Sequence, residues 1–350
     1  MRVLNSDAVA GRREQLATLL HKAGVLNVIM RARSRMPRSL SVLTYHSIAE
    51  HARPGFDDGV VDATPSQFEE QLEFVARHFS VIGMADVIAA VDTGAALPRN
   101  PLLITFDDGY LTCFTAALPA LQRHGLKATF FIATDYIERR RMYWWDRINY
   151  LIHHSTRDEI TLDYPTRLEL STKTRDATCK TLINIVKQTH GLNVDQFLAD
   201  LTEATGVEWN DTIERELAEE MIMTWDQVRE LRAAGMDVQS HTRRHRVLQT
   251  LTADELRDEL QGSREDLERE LDEPIRALAY PVGRDIAHIP EIRNAVRDAG
   301  YTVGFSNASG VNYRMSSVDP FGIRRLAVDR DASHAMFCGS LAVPPLAFTR

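Results

Sequence analysis

Pro101-Leu102-Leu103-Ile104-Thr105-Phe106-Asp107-Asp108-Gly109 reads as an apolar run that ends in two adjacent carboxylates and a glycine. Successive side chains along a strand face opposite ways. Neighbouring acids therefore mark a place where a strand has ended and its last residues turn toward something, and the glycine permits the turn. Two readings of the TFDDG stretch stand at this point: an Asp-Gly turn that merely closes a strand, or a pair of carboxylates presented to a ligand. The rest of the chain has to choose between them.

Residues 102–106 read as a strand, and strand-like and helical stretches alternate on both sides of it. Upstream, 40–45 suits a short buried strand ending at Tyr45-His46-Ser47. Thr64-Pro65-Ser66 then opens a helix whose apolar face is Phe68, Leu72, Phe74, Val75 and Phe79. A second short helix is expected over 84–91. Downstream, 114–123 reads as a helix and 127–132 as a strand rich in β-branched and aromatic residues. The rhythm breaks over 138–223, where Trp144, Ile148, Leu151 and Ile152, then Leu182, Ile185 and Val186, are spaced as on helices. A mostly helical insertion is expected there. From Thr224 the alternation resumes, with strands expected over 236–239, 275–280, 301–305 and 323–328, helices between them, and a closing helix from Asp331. Strands separated by helical crossovers imply a parallel sheet covered by helices, either a barrel or a doubly wound sheet. In both, ligands sit at strand ends.

The 350 residues are 44% hydrophobic and 26% charged, which is enough to bury a full core. A formal charge of −8 argues against nucleic acid as a partner, because phosphate binding needs a basic footprint. Cys113, Cys179 and Cys338 are an odd, widely spaced set without a CxxC pair. Neither a disulfide framework nor a thiolate metal site is expected of them, and a reducing, cytoplasmic setting fits. No apolar stretch approaches the roughly 18 residues of a membrane span, and the start lacks a signal peptide's hydrophobic region. Residues 1–39 stand apart as a basic amphipathic segment, with 40–350 as the main domain. Over 1–40, Arg2, Arg12, Arg13, Lys22, Arg31, Arg33, Arg35 and Arg38 face only Asp7 and Glu14, a net of +6 that leaves −14 for the remainder. Leu16, Leu19, Leu20, Ala23, Leu26, Val28 and Ile29 give this segment a partly helical apolar pattern. It suits either peripheral contact with an anionic membrane, at the inner face, or a helix packed on the domain with a solvated basic face.

Ser240-His241-Thr242-Arg243-Arg244-His245 follows the strand expected over 236–239. Two imidazoles four apart can converge on one ion if the turn between them is helical, and a carboxylate from another strand end completes a two-His, one-carboxylate set. An HxxxH pair alone is weak among 12 histidines. With TFDDG at a second strand end and Ala279-Tyr280-Pro281-Val282-Gly283 at a third, chance explains the set poorly.

In these motifs and their order the chain resembles the NodB-homology polysaccharide deacetylases of carbohydrate esterase family 4, over about 40–328 apart from the insertion. The resemblance implies a distorted (β/α)7 barrel. It makes Asp107 the general base, and Asp108, His241 and His245 the ligands of a divalent metal ion, zinc foremost. The family's third motif opens with an arginine that steadies the base; here that position is Ala279, and Arg324, Arg325 or Arg284 are the candidates to replace it. The AYPVG wording is similar to the branch containing poly-N-acetylglucosamine deacetylases, in which the barrel is circularly permuted and a YH pair near the N-terminus supplies the acid. Tyr45-His46 matches it, which makes His46 the implied general acid against a purely structural strand-end histidine. Tyr280, Pro281 and Val282 are the implied substrate or oxyanion segment, with a backbone N–H near Val282 as donor.

A second FDDG, Phe56-Asp57-Asp58-Gly59, has no apolar run before it and reads as a rim loop rather than a second site. Tyr143-Trp144-Trp145-Asp146 suits either core packing or stacking on sugar rings. The expected activity is metal-dependent removal of N-acetyl groups from a sugar of a surface or exported polysaccharide or its precursor. Two other readings remain: a non-catalytic carbohydrate-binding or assembly module, for which Ala279 speaks, and an amidohydrolase or deformylase acting on another amide.

Overall fold

The computed structural model describes residues 6–33, 39–283 and 286–343. Seven parallel strands close into a barrel: β1 (Ser39–Tyr45), β2 (Pro101–Phe106), β3 (Thr129–Ile132), β4 (Asp237–Ser240), β5 (Ala277–Ala279), β6 (Val303–Ser309) and β7 (Ile323–Ala327). They follow one another around the ring in chain order. Closure comes from β1, which pairs with β2 on one side, Leu43 opposite Ile104, and with β7 on the other, Leu43 opposite Leu326. The architecture is thus the (β/α)7 barrel and not the doubly wound sheet.

Every residue of β1 and β2 is buried, as parallel strands covered on both faces require. Alternation along the strands then sorts them. Leu40, Val42, Leu103, Phe131, Ala277, Ala279, Val303, Phe305 and Ile323 form one apolar cluster, which fills the barrel. Their neighbours Leu43, Tyr45, Ile104, Phe106, Phe130, Ile132, Leu278 and Leu326 belong to a larger cluster beneath the surrounding helices. The helix Met84–Thr93 adds Met84, Val87 and Ala90 to the inner cluster. Its first N–H donates to Asp237 Oδ2 at the start of β4 (2.9 Å), so this helix stoppers the end where the strands begin. The opposite end, where they finish, is left for chemistry.

The insertion between β3 and β4 holds helices Trp144–His154, Arg175–Gln188, Val194–Thr205 and Asp211–Met221. It also holds an antiparallel hairpin, Glu159–Leu162 with Leu168–Ser171, which the helical expectation over 138–223 lacks. The hairpin buries only Ile160 and Leu162 from its first strand, too short an alternation to register against helical neighbours. At the N-terminus, Ser6–Lys22 and Val25–Arg33 are two helices, broken where Gly24 takes a left-handed conformation (φ +69°). Both pack on the C-terminal helix His334–Ala342. Leu26 is buried in that contact, whereas Leu16, Leu19 and Val28 stand exposed. Arg2, Arg35, Arg38 and Arg284 lie outside the described residues.

Candidate active site

At the end of β2 the backbone resolves the puzzle of two adjacent acids. Asp107 still belongs to the sheet, its N–H donating to Tyr45 O (2.8 Å). Asp108 then adopts φ +73° and Gly109 φ +108°. The left-handed turn cancels the alternation that would send the second carboxylate to the far face, and both acids enter one cavity of about 340 Å³. The same cavity receives His46, His241, His245 and Arg325.

His241 continues β4, its N–H donating to Ile132 O (2.9 Å). Its Nδ1 donates to Ala279 O (2.8 Å), which fixes the tautomer and leaves the Nε2 lone pair free, 3.3 Å from Asp108 Oδ1. His245 Nε2 lies 3.4 Å from the same oxygen. The turn between the two histidines is not helical as expected; Thr242 (φ +64°) and His245 (φ +51°) are both left-handed. Glu259 holds this unusual turn by accepting the N–H groups of Arg243 (3.0 Å) and Arg244 (2.7 Å). The indole of Trp145 packs on the His245 ring at 4.5 Å.

One ligand atom each from Asp108, His241 and His245 lies within 4.8 Å of the others, all three residues buried. Asp108 Oδ1 is buried and accepts no hydrogen bond. Burial pushes His245 down to about 3 against the pull of Asp108, so its imidazole is neutral, the form that binds metal. Two imidazoles and a carboxylate with an orphaned oxygen fit a divalent transition ion.

Asp107 is held differently. Its Oδ1 accepts from Arg325 Nη1 (2.8 Å), while Oδ2 is buried without a donor, 3.8 Å from His241 Nε2. Burial alone would raise this carboxyl; the Arg325 charge, with His241, outweighs it and keeps Asp107 below the usual range. Arg325 also donates from Nη2 to Asn307 Oδ1 (2.5 Å) and from Nε to Ser306 O (3.3 Å). Of the candidate substitutes for the arginine missing at Ala279, Arg325 reaches Asp107. Arg324, next to it in β7, faces outward and is exposed, as alternation dictates. Ala279 belongs to the apolar cluster inside the barrel.

His46, one residue beyond β1, is anchored by an acid that sequence reasoning missed. Asp62 Oδ2 accepts both the His46 N–H (2.6 Å) and Nδ1 (2.8 Å). Burial opposes a charge on this imidazole, but Asp62, supported by Asp108 and Asp107, raises it to about 9. The signal was an acid set in the apolar run Val60-Val61-Asp62-Ala63.

The third strand end delivers only part of what was expected of it. Val282, left-handed at φ +58°, lines the cavity. Tyr280 points the other way, fully buried, its hydroxyl donating to Phe321 O (2.9 Å). Pro281 is also off the cavity wall, its carbonyl accepting from Gly283 N (2.6 Å). Tyr143, Trp144 and Trp145 are buried, yet Trp144 and Trp145 line the cavity together with Lys187 of the insertion, so core and site coincide there. In the second FDDG, Asp57 caps Gly59 N (2.9 Å) at the cavity rim and Asp58 pairs with Arg330 (2.9 Å). Those two acids are committed to the loop.

The model of the polysaccharide deacetylase family matches residues 94–304. The chain belongs to this family. Among solved structures, a deacetylase, PplD, from Streptococcus pyogenes in complex with acetate shares 17% identity at a TM-score of 0.55, over 85% of this chain and 96% of that one. IcaB from Ammonifex degensii shares 18% at 0.52, over 87% and 97%. A de-N-acetylase from Aggregatibacter actinomycetemcomitans shares 15% at 0.53, over 85% and 98%. At such identities the likeness shows the fold. No curated protein matches the chain. The polysaccharide deacetylase match takes in Asp107, Asp108, His241 and His245, whereas His46, Asp62 and Arg325 fall outside it. Membership makes the protein a carbohydrate de-N-acetylase.

Proposed function

We propose that the protein is a metal-dependent hydrolase that removes acetyl groups from the nitrogen of an N-acetylated sugar in a surface or exported polysaccharide or its precursor. The observation that carries this reading is the pairing of Asp107 and His46 in one cavity. One is a carboxylate kept ionised, with a donor-free oxygen, and the other an imidazole kept protonated. Opposite protonation states held by separate partners are what acid–base catalysis requires.

An acetamide resists hydrolysis because its carbonyl is a weak electrophile and the departing amine needs a proton. Asp108, His241 and His245 would hold a divalent ion, zinc being the first expectation, which when bound acidifies water and polarises a carbonyl. Asp107 Oδ2 accepts the proton of the attacking water, with Oδ1 fixed by Arg325. His46 donates its Nε2 proton to the amine as the C–N bond breaks, while its Nδ1–H keeps donating to Asp62 Oδ2. The Val282 N–H is the proposed donor to the developing oxyanion. Because Arg325 pairs with Asp107, the missing arginine at Ala279 no longer speaks for a non-catalytic module.

Elemental analysis combined with acetate release from N-acetylhexosamine oligomers tests the proposal. Bound metal and released acetate are expected, and Asp107→Asn should keep the metal while losing at least about a hundredfold in turnover. Metal without acetate would favour action on another amide; sugar binding with neither would favour the module.

A further inference from the structure

Among the described residues five large apolar side chains stand exposed, and four of them lie on the N-terminal helices: Leu16 (44%), Leu19 (66%), Val25 (37%) and Val28 (63%). These helices are not short of packing. Ala17, Leu26 and Met30 are buried, and the His21 ring meets the edge of His334 at 5.7 Å. The exposed set therefore lies on the outward sides of the two helices, away from that packing. Leu16 and Leu19 are three apart on one helix and Val25 and Val28 three apart on the next, a spacing that puts each pair on one side.

Charge is unevenly distributed along the sequence. Residues 1–40 carry +6, and the rest of a chain with a total of −8 carries −14. We propose that this face docks the protein on an anionic lipid surface. Exposed leucine and valine gain by entering the boundary between headgroups and acyl chains, and lysine and arginine gain from anionic headgroups. The acidic remainder is repelled by the same surface, so the asymmetry also orients the molecule, basic segment toward lipid. A second copy of the chain suits the face poorly, because it would set +6 against +6. No described helix is long and apolar enough to cross a membrane, so the contact is peripheral.

Cosedimentation of the full chain with vesicles tests this directly, using phosphatidylcholine alone and phosphatidylcholine mixed with phosphatidylglycerol, at low and high salt. Partition into the anionic vesicles should exceed that into the neutral ones by at least about tenfold and fall as salt is raised. The variant Leu16→Ser/Leu19→Ser/Val28→Ser should lose about tenfold, and Arg13→Glu/Lys22→Glu should lose a similar factor independently of the apolar side chains. Unchanged circular dichroism would show that both variants fold. Equal partition into both vesicles, no partition, or partition that neither variant alters would overturn the proposal. So would a dimer that the serine variant dissociates. Acetate release from soluble oligomers is read separately, so failure here and failure of the hydrolase reading are distinct results.

Discussion

His46 and Asp62 form the pair whose chemistry responds most directly to solvent pH. The imidazole is raised from its ordinary value to about 9, with Asp62 the main partner holding the proton. In metal-free protein, NMR titration of His46 should show this alkaline midpoint, and Asp62→Asn should bring it back to the ordinary histidine range or below. The sign for stability follows from linkage. A group whose folded pKa lies above its unfolded one stabilises fully below the unfolded value, near 6.5, and loses that contribution as pH rises through about 9. The native protein should therefore lose stability across that window and the Asp62→Asn variant should not. A midpoint near 6.5 with Asp62 intact would show that Asp62 does not hold the His46 proton as proposed. The residue was legible in the YH motif; its partner was not, because contact between positions 46 and 62 depends on the parallel pairing of Ser47–Ile48 with Val61–Ala63, strand segments too short to leave a sequence signature.

At the scale of elements, the strands were legible and the turns that aim their last residues were not. Apolar runs located all seven strands to within a few residues, since burial on both faces leaves a plain signature. Left-handed conformations at Asp108, Thr242, His245 and Val282 carry no comparable signal, because none of these residues is a glycine. They are held by contacts, as Glu259 holds the Arg243 and Arg244 amides. That is also why the histidine pair converges without the helical turn its spacing suggested. One glycine does mark a close approach: a Cβ on Gly304 in β6 would lie 2.2 Å from Tyr280 Oη and 3.0 Å from Phe321 O. Gly304→Ala should thus destabilise the fold by about 1–3 kcal/mol in urea unfolding. Adding Tyr280→Phe should recover part of the loss, since it removes the nearest atom; no recovery would place the strain on the ring carbon Cζ (2.7 Å) or the backbone at Phe321 instead.

For the molecule as a whole, a site assembled from several strand ends ties stability to the ion it would hold. An ion present at a hundred times its dissociation constant stabilises the folded state by about 2.7 kcal/mol. Chelation should therefore lower the melting temperature by several degrees, and Asp108→Asn should melt at the chelated value whether or not metal is added. A native protein indifferent to chelator would count against the Asp108, His241 and His245 set. Barrel closure was the one global feature that alternation left open, since a ring and an open sheet share the same local pattern and differ only in whether β1 finds β7. That seam sets an order on synthesis. The strand bearing Arg325 is the last of the seven to leave the ribosome, well after Asp107, Asp108, His241 and His245 have emerged. A nascent chain that has reached Gly283 already carries the three proposed metal ligands, but its base has no guanidinium beside it. The proposed base lacks its partner until β7 has been made, so a barrel cut short before β7 is expected to chelate without turning over.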